Sequence, residues 1–409
     1  MSKHLQYIVT ILLLPALLET IDFEAFQVSI SGLPLTLGRT CFIAAGLVGL
    51  FTKGGGTLNT ITFKALGIIL CGCILGTLTA SGDTNAITRT IAMILLLLGA
   101  AGLAQLWEHA FFQYLITIFF SVNFLYWTVY IFRAVLFSGG GAYSAMFSEG
   151  ATINHHIPGL AISVSAMFVA VNLFYVHGKL KLLGFVVMII AIVACVLAES
   201  RSNFIFTTLG LLLLILKGRK DIGRLALVIV PSVVLLFFIV SYFFRSSEVL
   251  SQRFDINDKD YQERTTGMRV DFIYEAFNVF GDNILGRGIT DAEVVYKGRT
   301  MMIHNQYLTF LLAGGIIALV GIVMWLGNMI REFAGIFITK SYAALHNYLL
   351  AIFFSVFIFF ISLFTIDSTG LLFFMIISLS CMLDYHLKKV KQPAAGRIPA
   401  HNDQPTAAG

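Results

Sequence analysis

Apolar runs long enough to cross a bilayer follow one another along most of the chain, separated by short polar stretches. A transmembrane helix needs about 20 mostly apolar residues. Such runs lie near 5–20, 33–52, 61–80, 87–106, 111–137, 159–177, 180–198, 202–216, 224–243, 304–326, 344–364 and 369–386. The pattern predicts an all-α, polytopic membrane helix bundle of about twelve transmembrane helices. The fifth run is long enough to be tilted or broken. One sizeable polar stretch, residues 244–303, interrupts the series. Within it Met268, Phe272, Ile273, Ala276, Phe277 and Phe280 recur at helical spacing. That spacing predicts an amphipathic helix lying on the membrane surface or capping the bundle. Gly281, Gly286 and Gly288 break it and mark a turn. Residues 1–392 read as a single transmembrane domain, and the Ala-, Pro- and Gly-rich stretch 393–409 as a disordered tail.

Composition makes the membrane reading firm. Only 12% of the 409 residues are charged, about half the share in soluble domains, and the mean hydropathy is +0.87. A net charge of +5 does not point to nucleic acid, because the basic residues stand in short clusters beside the apolar runs. These clusters are Lys53; Lys179 and Lys181; Lys217, Arg219, Lys220 and Arg224; Arg331 and Lys340; and Lys388, Lys389 and Lys391. With twelve spans they all fall on one side together with both termini, and that side is cytoplasmic by the bias of Lys and Arg. The opposite side then holds Glu19–Ser31, Gly139–Pro158, the turn at Arg201 and the long loop. Leu18-Glu19-Thr20 is a poor cleavage site, so the first run is expected to be a retained helix. Cys41, Cys71, Cys73, Cys195 and Cys381 all sit in apolar stretches. They read as packing groups, with neither a disulfide nor a metal site expected.

The candidate chemistry gathers on the poorly basic side. Arg201 stands in Glu199-Ser200-Arg201-Ser202-Asn203, between two apolar runs. A cation there is either an interfacial anchor or a functional group, and a guanidinium can hold phosphate oxygens bidentately. Arg269 lies near the start of the amphipathic helix, where it could equally be solvated or paired with Glu263 or Asp271. Arg287 is flanked by Gly286 and Gly288, which would let the backbone approach a phosphate closely. His304 opens an apolar run and precedes Asn305. Its bland reading is a hydrogen-bonded residue at a helix end, and its functional one is a base for a sugar hydroxyl. His155-His156 lacks the carboxylates that a metal site would want. Arg39, Arg89 and Arg133 lie near or inside spans, with no role fixed.

Arg201 after an apolar span, a long loop, and His304-Asn305 followed nine residues later by Gly315 together resemble the O-antigen ligase and polymerase superfamily. Its ligase pattern is His, then Asn, Ser or Gln, then nine residues, then Gly-x-x-Gly; here Ala318 stands at the last glycine. Asp282-Asn283-Ile284-Leu285-Gly286-Arg287-Gly288 also resembles the family's loop. The resemblance implies a bundle of the GT-C type in the bacterial inner membrane. It implies a metal-independent, inverting glycosyltransferase with no cofactor. The donor would be an undecaprenyl-diphosphate-linked glycan, and the acceptor another glycan or lipid A core. Membrane lipid and other polysaccharide-assembly proteins are the further partners expected. Arg201 and Arg269 would clamp the diphosphate, His304 would orient or deprotonate the acceptor hydroxyl, and Arg287 and Asn305 would bind substrate. Ala318 and the lack of a large extra outer domain tilt the reading toward polymerase, with ligase as the alternative. A transporter or flippase would want cations through the bundle and an internal repeat, and the sequence displays neither.

Overall fold

The computed structural model describes residues 3–21, 35–53, 55–80, 84–107, 110–138, 156–176, 180–217, 241, 268–289, 293–296, 299–302, 305–338, 351, 354 and 370–391. Its helices are α1 (Lys3–Thr20), α2 (Leu37–Lys53), α3 (Ile61–Ala80), α4 (Thr84–Leu106), α5 (Ala110–Ser138) and α6 (His156–Val171). They continue as α7 (Lys181–Leu197), α8 (Arg201–Lys217), α9 (Met268–Asp282), α10 (Gln306–Ile338) and α11 (Gly370–Lys391). The stretches Ile61–Thr79, Ile87–Leu106, Ala110–Val135 and Tyr307–Ala334 are long and apolar enough to cross a membrane, and α2, α6, α7, α8 and α11 are shorter apolar helices. The fifth apolar run is one continuous helix.

Apart from Ser241, Ala351 and Phe354, the expected runs at 224–243 and 344–364 lie outside the described residues, as do 244–267 of the long loop and the tail after Lys391. One element departs from the all-α expectation. An antiparallel hairpin of β1 (Glu293–Tyr296) and β2 (Arg299–Met302) pairs Val294 with Met301 and follows α9 in the loop. Its Val294 is buried, so the hairpin seats an apolar residue that helical periodicity could not reveal.

Side-chain contacts fix which helix ends lie together. Helices α3 and α10 are antiparallel: Gly321 faces Ala65 and Ile69, Gly72 faces Gly314 and Ala318, and Gly76 faces Ala313. Close approach of these backbones through small residues replaces the hydrophobic drive that lipid does not supply. Helices α2 and α4 run parallel, with Ile43 against Gly99 and Gly102 against Gly49. Arg39 of α2 meets Glu19 of α1 at 3.3 Å with both side chains almost fully buried, and Asn123 of α5 donates to Thr20 Oγ1 at 3.0 Å. Gly159 of α6 lies against Ser200 and Asn203 at the start of α8, and Phe120 of α5 stacks on Phe168 of α6 with centroids 4.1 Å apart.

One end of the bundle therefore collects the C-termini of α1, α3, α5 and α7 and the N-termini of α2, α4, α6, α8, α10 and α11. At the other end Asp384 accepts the backbone N–H and hydroxyl of Thr62 at 2.9 and 2.6 Å and the amide of Asn328 at 2.8 Å. This ties α11 to α3 and α10. That end also carries Lys3, Lys53, Lys181, Lys217, Arg331, Lys388, Lys389 and Lys391.

Candidate functional site

Arg201 occupies the first position of α8 and is half-buried. The turn before it is tight. Glu199 N–H donates to Val196 O at 2.9 Å and Ser200 N–H to Cys195 O at 3.1 Å, the pair of bonds that closes a helix through a left-handed residue. That residue is usually glycine, but here it is Glu199 at φ 55, a conformation costing a side-chain-bearing residue about 1–3 kcal/mol. A buried polar chain holds it. Asn203 donates to Ser200 Oγ at 2.8 Å, Thr207 donates to Ser163 Oγ at 2.7 Å, and Ser163 donates to Gly159 O at 2.8 Å. Ser163, Ser200, Asn203 and Thr207 are all fully buried. The network joins α6 to α8 directly beneath Arg201.

Arg287 is placed differently. Helix α10 breaks at Gly315, whose φ of 58 and ψ of −147 belong to a region open in practice only to glycine. The strap after α9 fills the break. Arg287 N–H donates to Leu312 O at 2.8 Å, Gly288 N–H donates to Ala313 O at 2.9 Å, and Ile316 N–H donates to Ile284 O at 2.8 Å. A helix broken at membrane depth must find partners for its freed backbone groups, and here a loop provides them. The Arg287 side chain is half-buried, while Gly288 rests on Thr77 of α3.

Asn305 is the N-cap of α10. Its Oδ1 accepts the backbone N–H groups of Tyr307 and Leu308 at 3.0 and 3.2 Å, the ordinary capping use of Asn. His304 lies outside the described residues, immediately before this cap. Arg269 falls in the first turn of α9, the helix that leads into the strap. Its buried stripe is Phe272 and Ala276, while Val270, Ile273, Tyr274 and Phe277 are exposed.

The structure thus brings Arg201, Arg287 and Asn305 to one end of the bundle, opposite the lysines. Residues 186–323 match the family model described as O-antigen ligase. Over this stretch the chain is similar to that family. The stretch contains Arg201, Arg269, Arg287, His304 and Asn305, and the likeness supports the O-antigen ligase and polymerase superfamily. No curated protein and no solved structure matches the chain.

Inside the matched stretch, Gly315 and Ala318 stand at the two glycine positions of the ligase pattern. Gly315 is the helix break. Ala318 is fully buried, beside Gly72 of α3, so α3 accommodates the extra methyl. Sequence reading missed Gly72, Gly76 and Thr77, which line the site from outside the matched stretch. A Gly-x-x-x-Gly spacing in an apolar span was the available signal.

Proposed function

We propose that this protein is a membrane glycosyltransferase that passes a glycan from undecaprenyl diphosphate to an acceptor sugar hydroxyl at the periplasmic face of the inner membrane. The observation that carries the proposal is the segregation of Arg201, Arg287 and Asn305, all within the matched stretch, at the end opposite the basic clusters. The basic end is cytoplasmic by the bias of Lys and Arg, and both termini join it in a bundle of about twelve spans. The remaining site residues, Arg269 and His304, belong to the same stretch by sequence.

The chemistry follows from these groups. The acceptor oxygen attacks the anomeric carbon from the face opposite the diphosphate, so the configuration inverts. The bond from that carbon to the diphosphate oxygen breaks, and undecaprenyl diphosphate departs with the electron pair. Arg201, Arg269 and Arg287 stabilise the negative charge gathering on the leaving group, which is the work a metal does in other transferases. His304 takes the proton from the hydroxyl. An apolar crevice of about 180 Å³ between α3 and α4, lined by Ile74, Thr77, Leu78, Ile87, Thr90, Ile91 and Ile94, has room for a short piece of the isoprenoid chain, and the rest of the chain lies in the lipid. Thr77 lines this crevice and also touches Gly288, which supports a lipid chain lying beside the Arg287 strap.

In the favoured reading the acceptor is a second lipid-linked repeat, and the product is a polymer; in the alternative it is lipid A core. The deciding experiment incubates purified protein with an undecaprenyl-diphosphate-linked repeat unit and chelator, with and without lipid A core. A product ladder without core supports polymerase, and a single shift requiring core supports ligase. No product in either case, with lipid-linked sugar crossing liposomes, would replace the enzyme with a transporter.

A further inference from the structure

We infer that Gly315 and Gly76 are positioning residues for Arg287: together they hold open the break in α10 into which the strap Ile284–Gly288 locks, and this backbone clasp sets where the guanidinium stands. The inference rests on the transfer reading above, and adds residues that the reading does not contain. The strap does not merely touch α10. Its Ile284 carbonyl caps the restarted half of the helix, and its Arg287 and Gly288 amides bind the last carbonyls of the first half. Arg287 is therefore in fixed register with Leu312, and through the continuous turns from Asn305 to Leu312 it is in register with the cap that follows His304.

Both glycines are required by contact rather than by flexibility alone. A Cβ on Gly315 would meet Leu285 C at 2.5 Å and Gly286 N at 2.6 Å, besides the Ile284 carbonyl. It would displace the strap even if the backbone could reach φ 58. A Cβ on Gly76 would collide with Ala313 O and lie 2.9 Å from Gly288 N and 3.1 Å from Gly286 C. The strap thus sits between a glycine of α3 and a glycine of α10. In lipid no water can replace the three clasp bonds, so the strap has one seat rather than a range of positions. Helix α3 lies outside the matched stretch 186–323, which makes the site depend on a part of the chain the family pattern does not contain.

The test compares initial transfer rates across donor concentrations for wild type, Gly315→Ala, Gly76→Ala, Arg287→Ala and the double variant Gly315→Ala with Arg287→Ala. If the glycines act through Arg287, each glycine variant raises the donor KM about tenfold or more while the acceptor KM stays put. The double variant is then no worse than Arg287→Ala alone, the non-additivity expected of residues acting as a unit. A wild-type donor KM in Gly315→Ala, or losses that multiply in the double variant, overturns the inference. Hydrogen exchange on the unaltered protein decides the matter if the variants do not fold. Slow exchange of the Arg287, Gly288 and Ile316 amides supports the clasp, and exchange as fast as an open loop overturns it. Absence of transfer by the wild type would sink the transfer reading, and with it Arg287's role, while protected amides would still establish the clasp itself.

Discussion

The carbonyl of Ile284 accepts the backbone N–H of Ile316 at 2.8 Å, so a loop residue caps a helix that restarts inside a membrane span. That bond joins the two halves of the candidate site. On one side lies the amphipathic helix carrying Arg269, and on the other the helix headed by Asn305. The loop is held by the bundle rather than standing above it, and its arginine inherits the rigidity of the helices beside it.

Arg201 should tolerate no substitution. Arg201→Ala is expected to abolish transfer, and Arg201→Lys to lower it by about ten- to a hundredfold, because an ammonium cannot reproduce a bidentate phosphate contact. Rates on purified protein test this, with circular dichroism as the check on folding. Near-wild-type transfer by Arg201→Lys would reduce the contact to simple charge.

His304→Ala should express and fold normally yet give no product, since its expected task is the proton of the attacking hydroxyl. Wild-type rates from this variant would remove the imidazole from the mechanism.

Asn305→Ala should lower stability by about 1 kcal/mol, the usual loss on removing an N-cap, and shift the thermal unfolding midpoint downward in detergent. Asn305→Ser should recover most of that loss, because Ser also caps. If Asn305→Ser restores the midpoint but loses transfer, the Asn amide has a role in substrate binding besides the cap.

Thr207→Val removes the hydroxyl that donates to Ser163 Oγ at 2.7 Å and leaves Ser163 short of a partner. A buried loss of this kind costs about 1–3 kcal/mol. Because the network sits beneath the Glu199 turn, transfer per folded molecule should fall as well. A lower melting midpoint with unchanged turnover would confine the network to packing.

Asp384→Ala provides the opposite case. It strips the acceptor from Thr62 and Asn328 at the far end of the bundle, and should destabilise by about 1–3 kcal/mol. Turnover per folded molecule should stay at the wild-type value, as read by active-site-normalised rates. A selective loss of turnover would contradict the separation of the two ends.

Much of this arrangement is legible in the residues themselves. The spacing of Phe272, Ala276 and Phe280 announces α9, which the structure runs from Met268 to Asp282; Gly281 sits inside its last turn, and the strap begins afterwards. Arg201 is marked by its place between two apolar runs. Asn305 illustrates the opposite: its type and position spell an N-cap, yet its neighbour His304 draws attention toward substrate. The break in α10 leaves a fainter trace, the Gly314-Gly315 pair. Leu311-Leu312-Ala313-Gly314-Gly315-Ile316 is as apolar as any unbroken span, and its interruption depends on backbone bonds from a segment far back in the chain. Hydrophobic periodicity records which face of a helix is buried, but not whether its own hydrogen bonds have been exchanged for another segment's. For the same reason Gly76 looks like packing until the strap is seen against it.

The clasp also dictates an order of assembly. Ile284 is synthesised well before Ile316 exists, so the loop must first wait with its strap unmatched. Only when α10 is inserted can the three bonds close, and only against an α3 already in place. A chain released before α10 is complete would leave polar backbone stranded beside lipid, a ready mark for quality-control proteases. Insertion of one late helix thereby becomes the event that finishes the site.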